Sequence, residues 1–124
     1  MYKIISRYFK YSDDRGSIEG LINVGNWNEI NYIRSQANSI RGNHYHKKYL
    51  ELFIIIKGKI EVEFQKVNSE KLTGDIEKEI FLEGSVFMVN PMVNHTFHVI
   101  EDSEWINVLS KGNSKDLDIW RLTL

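Results

Sequence analysis

The chain has 124 residues, 42% of them hydrophobic and 12% aromatic, which suits one domain with an apolar core and is too short for two of ordinary size. Sixteen basic and seventeen acidic residues give a net charge of -1, so a broadly basic surface that binds nucleic acid non-specifically is excluded. The absence of cysteine excludes disulfides, thiolate metal sites and thiol catalysis, and it fits a reducing compartment.

The apolar runs are short. The longest, Leu52 to Ile56, is far below the roughly 20 residues that a membrane-spanning helix needs. The first residues lack the apolar core and small-residue cleavage site of a secretion signal. We therefore expect one domain over residues 1–124, a cytoplasmic location and no membrane partner.

Short apolar runs alternate with turn signals along the whole chain. Val, Ile, Phe and Tyr dominate the runs, and no segment shows helical periodicity. This spacing predicts an all-β sandwich or barrel. The turn signals, in chain order, are Asp13 to Gly16, Gly25-Asn26, Asn38 to Gly42, Lys57-Gly58, Gly74-Asp75, Glu83-Gly84 and Lys111 to Asn113.

Two consecutive strands are predicted on either side of Lys57-Gly58. The strand after it alternates Ile60, Val62 and Phe64 with polar residues, which is typical of a sheet with one wet face, and Lys57-Gly58 predicts a hairpin turn. The strand before it, Leu52 to Ile56, is apolar on both faces. We expect a second sheet or a second subunit to cover it, hence a homodimer. Pro91 should end the next buried run.

Two histidines and a glutamate precede the most apolar strand. His44 and His46 are two residues apart, so their imidazoles project to one face of an extended chain. Glu51 lies at an odd offset from His46, so a bulge or short loop at Lys47–Tyr49 must return it to that face. His95, after the Pro91 break, is the best candidate for a fourth member.

Two or three imidazoles and one carboxylate suit zinc, iron, manganese or nickel, with positions left for water or substrate. Each residue taken singly also has a structural explanation. Histidines beside lysines are commonly exposed, and Glu51 near Lys47 and Lys48 could be an exposed charge cluster of little energetic value.

The joint pattern is more specific than its members. His-x-His, four residues, Glu, six residues and Gly, followed by Gly84 with His95 eleven positions later, resembles the two-part signature of the cupin superfamily. The resemblance implies a double-stranded β-helix, the jelly-roll barrel of the cupins. It also implies a metal site formed by His44, His46, Glu51 and His95.

A finer resemblance points to the sugar-nucleotide branch of the cupins. DDRGSIEGLI at 13–22 and NYIRSQANSIRGNHYHK at 31–47 are similar to the metal-independent 3,4-ketoisomerases of deoxysugar biosynthesis. PMVNHTFH at 91–98 and INVLSKGNSKDLDIW at 106–120 resemble the closing segment of that family. More distant resemblances are to the dTDP-4-dehydrorhamnose 3,5-epimerases and to the cupin domain of capsular-polysaccharide reductases.

These resemblances imply an isomerase or epimerase that acts on a nucleotide-linked 4-keto sugar in surface polysaccharide biosynthesis, without an organic cofactor. His44 is the expected base that removes the acidic proton beside the ketone, and His46 or Tyr32 is its expected partner. The residues expected to bind the substrate are Arg15, Arg41 and Asn43.

The departures from these families all favour a divalent metal cofactor. The ketoisomerases usually have glutamine at the position of Glu51 and a non-ligand at that of His95, and the epimerases have glutamine at that of His46. If a metal occupies the histidines, it becomes the electrophile that polarises the ketone, and the role of base passes to Tyr32 or another group.

Two other classes of function compete with the sugar enzyme. One is a metal-dependent cupin of different chemistry, such as a small dioxygenase that uses iron, and the other is a non-catalytic sugar- or metal-binding module. Outside the candidate site, His98 should face away from it, because His98 is three positions from His95. Trp27, Trp105 and Trp120 are expected in core or interface packing more than in stacking on a base.

Overall fold

The computed structural model describes residues 1–110 and 117–122, and within this part of the chain it contains strands and no helix. The prediction of an all-β fold is confirmed. The predicted turn at Lys111 to Asn113 lies outside the described residues. The strands are β1 (Tyr2–Ile4), β2 (Phe9–Asp13), β3 (Gly16–Gly20), β4 (Glu29–Ser35), β5 (Ile40–His44), β6 (Glu51–Asn68), β7 (Lys71–Leu82), β8 (Val86–Val89) and β9 (Val93–Leu109). None of the residues described forms a helix that could span a bilayer.

Two long strands organise the barrel. β6 and β9 have 18 and 17 residues and pair antiparallel along most of their length. β8 and then β1 extend the sheet from the first part of β6, and β7 pairs with its second part. β4 and β5 pair with opposite halves of β9. The sheet thus folds over on itself as the predicted jelly roll.

The chain crosses the corner of the barrel at Gly58 without a turn, which corrects the predicted hairpin. β6 continues through Lys57-Gly58, and its register with β9 shifts between Ile55 and Ile60. Gly58 has φ 101°, and a Cβ there would collide with the side chain of Ser103 on β9. A bulge at a close approach of two backbones therefore bends the sheet.

The turn between β6 and β7 also differs from the prediction. Ser69 and Glu70 form it, both with positive φ, whereas Gly74-Asp75 lies inside β7. Gly74 has φ 75° and accepts a hydrogen bond on its carbonyl from Gln65 where the β6–β7 register shifts. The glycine signal therefore marks a bulge, since bulges and turns share the same backbone conformation.

Of the other turn predictions within the described residues, the one at Asn38 to Gly42 is confirmed only in part, since Asn38 has φ 68° in the turn between β4 and β5 but residues 40–42 belong to β5. The rest are confirmed, and Asp13 to Gly16 closes the β2–β3 hairpin. Gly25-Asn26 lies between β3 and β4, and Gly84 between β7 and β8. β8 ends two residues before Pro91, and β9 begins two residues after it.

An aromatic cluster fills the barrel. Phe81 and Phe87 stack with ring centroids 3.9 Å apart, Phe53 stacks on Phe87 at 5.0 Å, and Phe97 stacks on Trp105 at 5.2 Å. All five are 3% exposed or less. Such pairs contribute about 0.5–1.5 kcal/mol each beyond the burial of their area.

The outer face of the strand 52–56 is only partly covered, which corrects the expectation of burial on both faces. Leu52 is 1% exposed beneath Trp27 and the preceding loop, Ile54 is half-buried, and Ile56 is 41% exposed. The register places Ile54 beside Ile106 of β9, and Ile106 beside Tyr32 of β4. An apolar row therefore crosses this outer face.

Candidate active site and metal-binding cluster

A bulge near the end of β5 positions the first histidine, His44. Gly42 and Asn43 both have positive φ, and the pairing of β5 with β9 shifts between Gly42 and His44. A Cβ on Gly42 would lie 2.8 Å from the carbonyl oxygen of His95, so the two backbones approach closely there. The bulge sets His44 directly opposite His95, with ring centroids 4.7 Å apart.

The second histidine and the glutamate flank the predicted break. His46 follows the isolated bridge between Tyr45 and Trp120, and residues 47–50 leave the sheet before β6 begins at Glu51. This loop returns Glu51 to the histidine face, as the sequence predicts. His46 and Glu51 are each 5% exposed.

The four residues predicted as metal ligands converge. His44, His46, Glu51 and His95 each offer one ligand atom, and these atoms lie within 4.8 Å of one another. His95 is 1% exposed, while His44 is half-buried at the pocket surface. A single ion could therefore contact all four side chains.

Hydrogen bonds orient two of the imidazoles toward the point where the four ligand atoms converge. His46 Nδ1 lies 2.7 Å from the carbonyl oxygen of Asp118, and His95 Nδ1 lies 3.0 Å from that of Val93. Because a carbonyl oxygen only accepts, each Nδ1 carries a hydrogen, and in the neutral form of each ring Nε2 is left with its lone pair. Histidines that bind metals in proteins are oriented in the same way.

The ligand atoms at this point of convergence have no hydrogen-bond partner among the described residues. His46 Nε2 and His95 Nε2 lie 3.2 and 3.0 Å from Glu51 Oε1, and with the hydrogen of each neutral ring on Nδ1, neither Nε2 donates to the carboxylate. These three atoms and His44 Nδ1 are buried without a hydrogen-bond partner among the described residues. Uncompensated burial of polar atoms is costly, so the donor set fits a divalent metal ion.

Burial and charge set the protonation of the cluster. Burial and the neighbouring His95 lower the pKa of His44 to about 4. Burial would raise the pKa of Glu51, but His95 and His46 outweigh it and lower that pKa. Burial would lower the pKa of His46, yet the Glu51 carboxylate raises it. At neutral pH, His44 is therefore an unprotonated imidazole and Glu51 an anion.

The cluster lies at the wall of a cavity of about 460 Å³. Phe53, Phe97 and Trp105 line its apolar side, and Arg41 and Arg121 line it with positive charge. Cavities of this size commonly bind small molecules through an apolar lining and a few fixed polar groups. Arg41, a predicted substrate-binding residue, donates from Nε to Ser35 Oγ at 2.6 Å.

Tyr32 lies outside the cavity, which corrects its predicted catalytic role. Along β4, Asn31 and Ile33 face the cavity, so the alternation of a strand turns Tyr32 outward. Tyr32 is 50% exposed, and its hydroxyl donates to Glu104 at 2.6 Å, with Arg34 stacked on its ring.

Asn43 and Arg15, two predicted substrate-binding residues, are also placed elsewhere. The β5 bulge turns Asn43 to the outer surface, where its Oδ1 accepts a hydrogen bond from Asn94 at 3.2 Å. Arg15 lies in the β2–β3 turn, 84% exposed, and pairs with Asp13 at 2.7 Å. Neither residue lines the cavity.

The remaining histidine and the tryptophans are placed largely as predicted. His98 lies beside Glu63 at 3.4 Å, away from the cluster, and Trp105 is buried in the core. Trp27 packs against a second apolar cluster formed by Leu52, Val86 and Val108. The ring of Trp120, which is 44% exposed, lies beneath Lys47 Nζ at 3.7 Å.

Three polar residues of the site were not found from the sequence. Asn107 donates to Glu51 Oε2 at 2.6 Å, Asn31 donates to Asn107 Oδ1 at 3.0 Å, and Asp118 accepts from His46. The available signal was a polar residue at an inward position of an apolar strand, since Asn107 alternates with Trp105 and Leu109.

The fold is similar to those of solved sugar-nucleotide enzymes. A 3,4-ketoisomerase from Helicobacter canadensis matches with a TM-score of 0.76 and 19% identity, over 97% of this chain and 90% of that chain. A dTDP-4-dehydrorhamnose 3,5-epimerase from Sulfolobus tokodaii matches with a TM-score of 0.75 and 18% identity, over 95% and 80%. These likenesses confirm the predicted cupin fold.

A third similar structure contains a ligand. It is the 3,4-ketoisomerase QdtA from Thermoanaerobacterium thermosaccharolyticum, a mutant in complex with TDP-4-keto-6-deoxyglucose. Its TM-score is 0.73 at 16% identity, over 97% of this chain and 86% of that chain. No curated relative matches the chain in sequence.

The sequence also matches a family of sugar-polymer biosynthesis. The profile described as "polysaccharide biosynthesis C-terminal domain" matches residues 11–114, most of the chain. The chain therefore belongs to the polysaccharide biosynthesis C-terminal domain family.

Proposed function

We propose that this protein binds a nucleotide-linked 4-keto sugar in the 460 Å³ cavity and isomerises or epimerises it during surface polysaccharide biosynthesis. The observation that carries the proposal is the convergence of His44, His46, Glu51 and His95 on this cavity. Family membership and the ketoisomerase and epimerase neighbours support it. A TDP-sugar bound by one such neighbour supports the class of substrate.

The two histidines of β5 and the following loop suit a proton transfer. A ketone acidifies the neighbouring C–H bond, and His44 accepts that proton because its lowered pKa leaves it unprotonated at neutral pH. The electron pair of the C–H bond forms a C=C bond while the π pair of the carbonyl moves onto the ketone oxygen, which gives an enediolate. His46, whose pKa is raised, then returns a proton at another carbon or on the other face.

Arg41 is proposed to stabilise the negative charge that develops on the substrate. Its guanidinium lines the cavity and is held by Ser35 Oγ and by the carbonyl oxygen of Arg34 at 3.0 Å. A planar guanidinium fixed in this way suits an enediolate oxygen or a phosphate group of the substrate.

A divalent metal is the proposed cofactor, and zinc, iron, manganese and nickel all suit the donor set. His44, His46, Glu51 and His95 would hold it, since their donor atoms are buried, convergent and otherwise unpaired among the described residues. When bound, it would supply an electrophile that polarises the ketone oxygen. A nitrogen that binds metal cannot also accept a proton, so the metal-bound and metal-free chemistries compete for the same imidazoles.

We further propose a single cupin domain over residues 1–124 that works in the cytoplasm as a homodimer. The apolar row on the outer face supports the dimer: Ile30 is 71% exposed, and Tyr32, Ile106 and Ile54 lie next to one another in the sheet. Exposed apolar surface of this kind is typical of an interface between subunits.

Exchange of the substrate proton with deuterated water tests the catalytic proposal. The wild-type protein should exchange the proton beside the ketone of a thymidine or uridine diphosphate 4-keto sugar, and the same ligand should raise its melting temperature. His44→Asn should lower the exchange rate by about 10²- to 10⁴-fold and keep the thermal shift.

Two control variants and two other outcomes complete the test. His98→Asn and Tyr32→Phe change residues outside the cavity, so both should exchange at nearly the wild-type rate. If the wild-type protein neither exchanges the proton nor is stabilised by such ligands, the sugar function is wrong. Oxygen consumption would then favour a metal-dependent cupin of other chemistry, and its absence a binding module.

A further inference from the structure

The two oxygens of Glu51 have different surroundings. Oε1 faces the Nε2 atoms of His46 and His95 at 3.2 and 3.0 Å, on the side of the cluster. Oε2 accepts a hydrogen bond from the side-chain amide of Asn107 at 2.6 Å. Glu51 and Asn107 are 5% and 4% exposed, so little water competes for this bond.

The sheet places Asn107 diagonally across from Glu51. Asn107 pairs with Phe53, two residues along β6 from Glu51, and diagonal neighbours on one face of an antiparallel pair are within reach of each other. On the other side of β9, Asn107 pairs with Asn31 of β4. The three polar side chains thus lie on the inner face of three adjacent strands.

Asn31 determines which end of the Asn107 amide faces Glu51. Asn31 Nδ2 donates to Asn107 Oδ1 at 3.0 Å and also lies 3.1 Å from Glu29 Oε2. With its oxygen engaged by Asn31, the Asn107 amide presents its NH₂ group to Glu51. Each amide in this chain thus donates to a carboxylate, Asn31 to Glu29 and Asn107 to Glu51, while Asn31 also donates to the amide oxygen of Asn107.

We propose that Asn107 is a positioning residue for Glu51: it holds Oε2 so that Oε1 is presented to the histidine cluster, and Asn31 in turn orients Asn107. The inference rests on the metal-binding role proposed above for Glu51. A ligating carboxylate that is free to rotate loses conformational freedom when the metal binds, and this cost lowers the affinity for the metal. A hydrogen bond to its second oxygen removes that freedom beforehand.

Metal affinity, measured without substrate, tests this role. Wild-type protein, Asn107→Leu, Asn31→Leu and Asn94→Leu are titrated with Co²⁺ and with Zn²⁺ in competition with a chelator, and the Co²⁺ absorption spectrum is recorded. Leucine has nearly the shape of asparagine and no donor. Asn94 is the matched control, because it is 8% exposed on the same strand and its amide donates to Asn43 on the outer surface.

Asn107→Leu should bind both metals about 10- to 100-fold more weakly and show an altered Co²⁺ spectrum, because Glu51 is no longer held. Asn31→Leu should bind the metals about fivefold more weakly, which is the effect of one ordinary hydrogen bond. If Asn107→Leu does not fold, the affinity of Asn31→Leu provides the test. Asn94→Leu should stay within about twofold of the wild-type affinity.

Two kinds of failure are distinguishable. If the wild-type protein binds neither metal, the metal part of the proposed function is wrong and the role of Asn107 falls with it. If the wild-type protein binds metal and Asn107→Leu binds it equally well with the same spectrum, only the positioning role is overturned. An equal loss in Asn94→Leu would likewise overturn it, since the effect would then follow from any lost amide on β9.

Discussion

The interior of the barrel contains two clusters that are both largely buried and chemically opposite. In the aromatic cluster, Phe87 is 0% exposed between the rings of Phe81 and Phe53. In the histidine cluster, His95 is 1% exposed, with its ring 6.1 Å from that of Phe53. Burial of aromatic rings stabilises the fold, whereas burial of ionisable groups opposes it. The aromatic cluster is thus expected to carry the stability, and the histidine cluster the function.

The largest effect is expected in the aromatic cluster. Phe87→Ala should lower the free energy of unfolding by about 3–5 kcal/mol, because it removes stacked contacts and leaves a cavity. Urea denaturation followed by tryptophan fluorescence measures this loss. The folded variant should bind metal with the wild-type stoichiometry, and a loss of the metal site along with the stability would show that the two clusters are one structural unit.

Acid should destabilise the metal-free protein through the histidine cluster. Between pH 6.5 and about 4 the unfolded chain protonates His44 while the folded protein does not, so the free energy of unfolding falls as the pH falls, by at most about 3 kcal/mol. The lowered pKa of Glu51 adds a loss in the same direction below about pH 4.5. The raised pKa of His46 acts oppositely, because its contribution is present at low pH and is lost as the pH rises.

Comparison with His44→Gln isolates the first of these contributions. Urea denaturation at pH 4.5 and pH 7, in the presence of a chelator, should give a smaller difference for the variant than for the wild-type protein. Equal differences would mean that His44 is solvated in the folded protein and that its nitrogen is available to protons at either pH.

A smaller effect on stability is expected when the charge of the histidine cluster is removed. Glu51→Gln should lower the free energy of unfolding of the metal-free protein by about 1–3 kcal/mol at pH 7, because the histidines lose a carboxylate whose attraction outweighs the cost of burying its charge, as the lowered pKa of Glu51 indicates. The same denaturation experiment measures it. A loss as large as that of Phe87→Ala would mean that Glu51 holds the barrel together, and the contrast between the clusters would break down.

The sequence was sufficient for the parts of the site that depend on local spacing. The two-position offset from His44 to His46 fixes a common face, and the odd offset to Glu51 requires the break that residues 47–50 supply. Tyr32 was misplaced because the inward face of β4 is set by its pairing with β9, which the chain does not encode locally. Asn107 was missed for the same reason, since its partner Glu51 lies on another strand.

For the fold, too, features set by local sequence were predicted, and a feature set by a distant residue was not. Alternating apolar residues predicted the strands, and Pro91 marked the end of β8 correctly. The bend at Gly58 was taken for a hairpin because a positive φ serves turns and bulges alike. What distinguishes them is Ser103, 45 positions further along the chain, whose side chain leaves no room for a Cβ.

The most direct test of the histidine cluster as a single metal centre is anomalous X-ray diffraction from crystals of the protein grown with Zn²⁺ or Co²⁺. The account predicts one strong anomalous peak at about 2.0–2.2 Å from a nitrogen of His44, His46 and His95 and from an oxygen of Glu51. A peak bound by other residues, or no peak at saturating metal, would contradict it and leave the histidines as a metal-free acid and base pair.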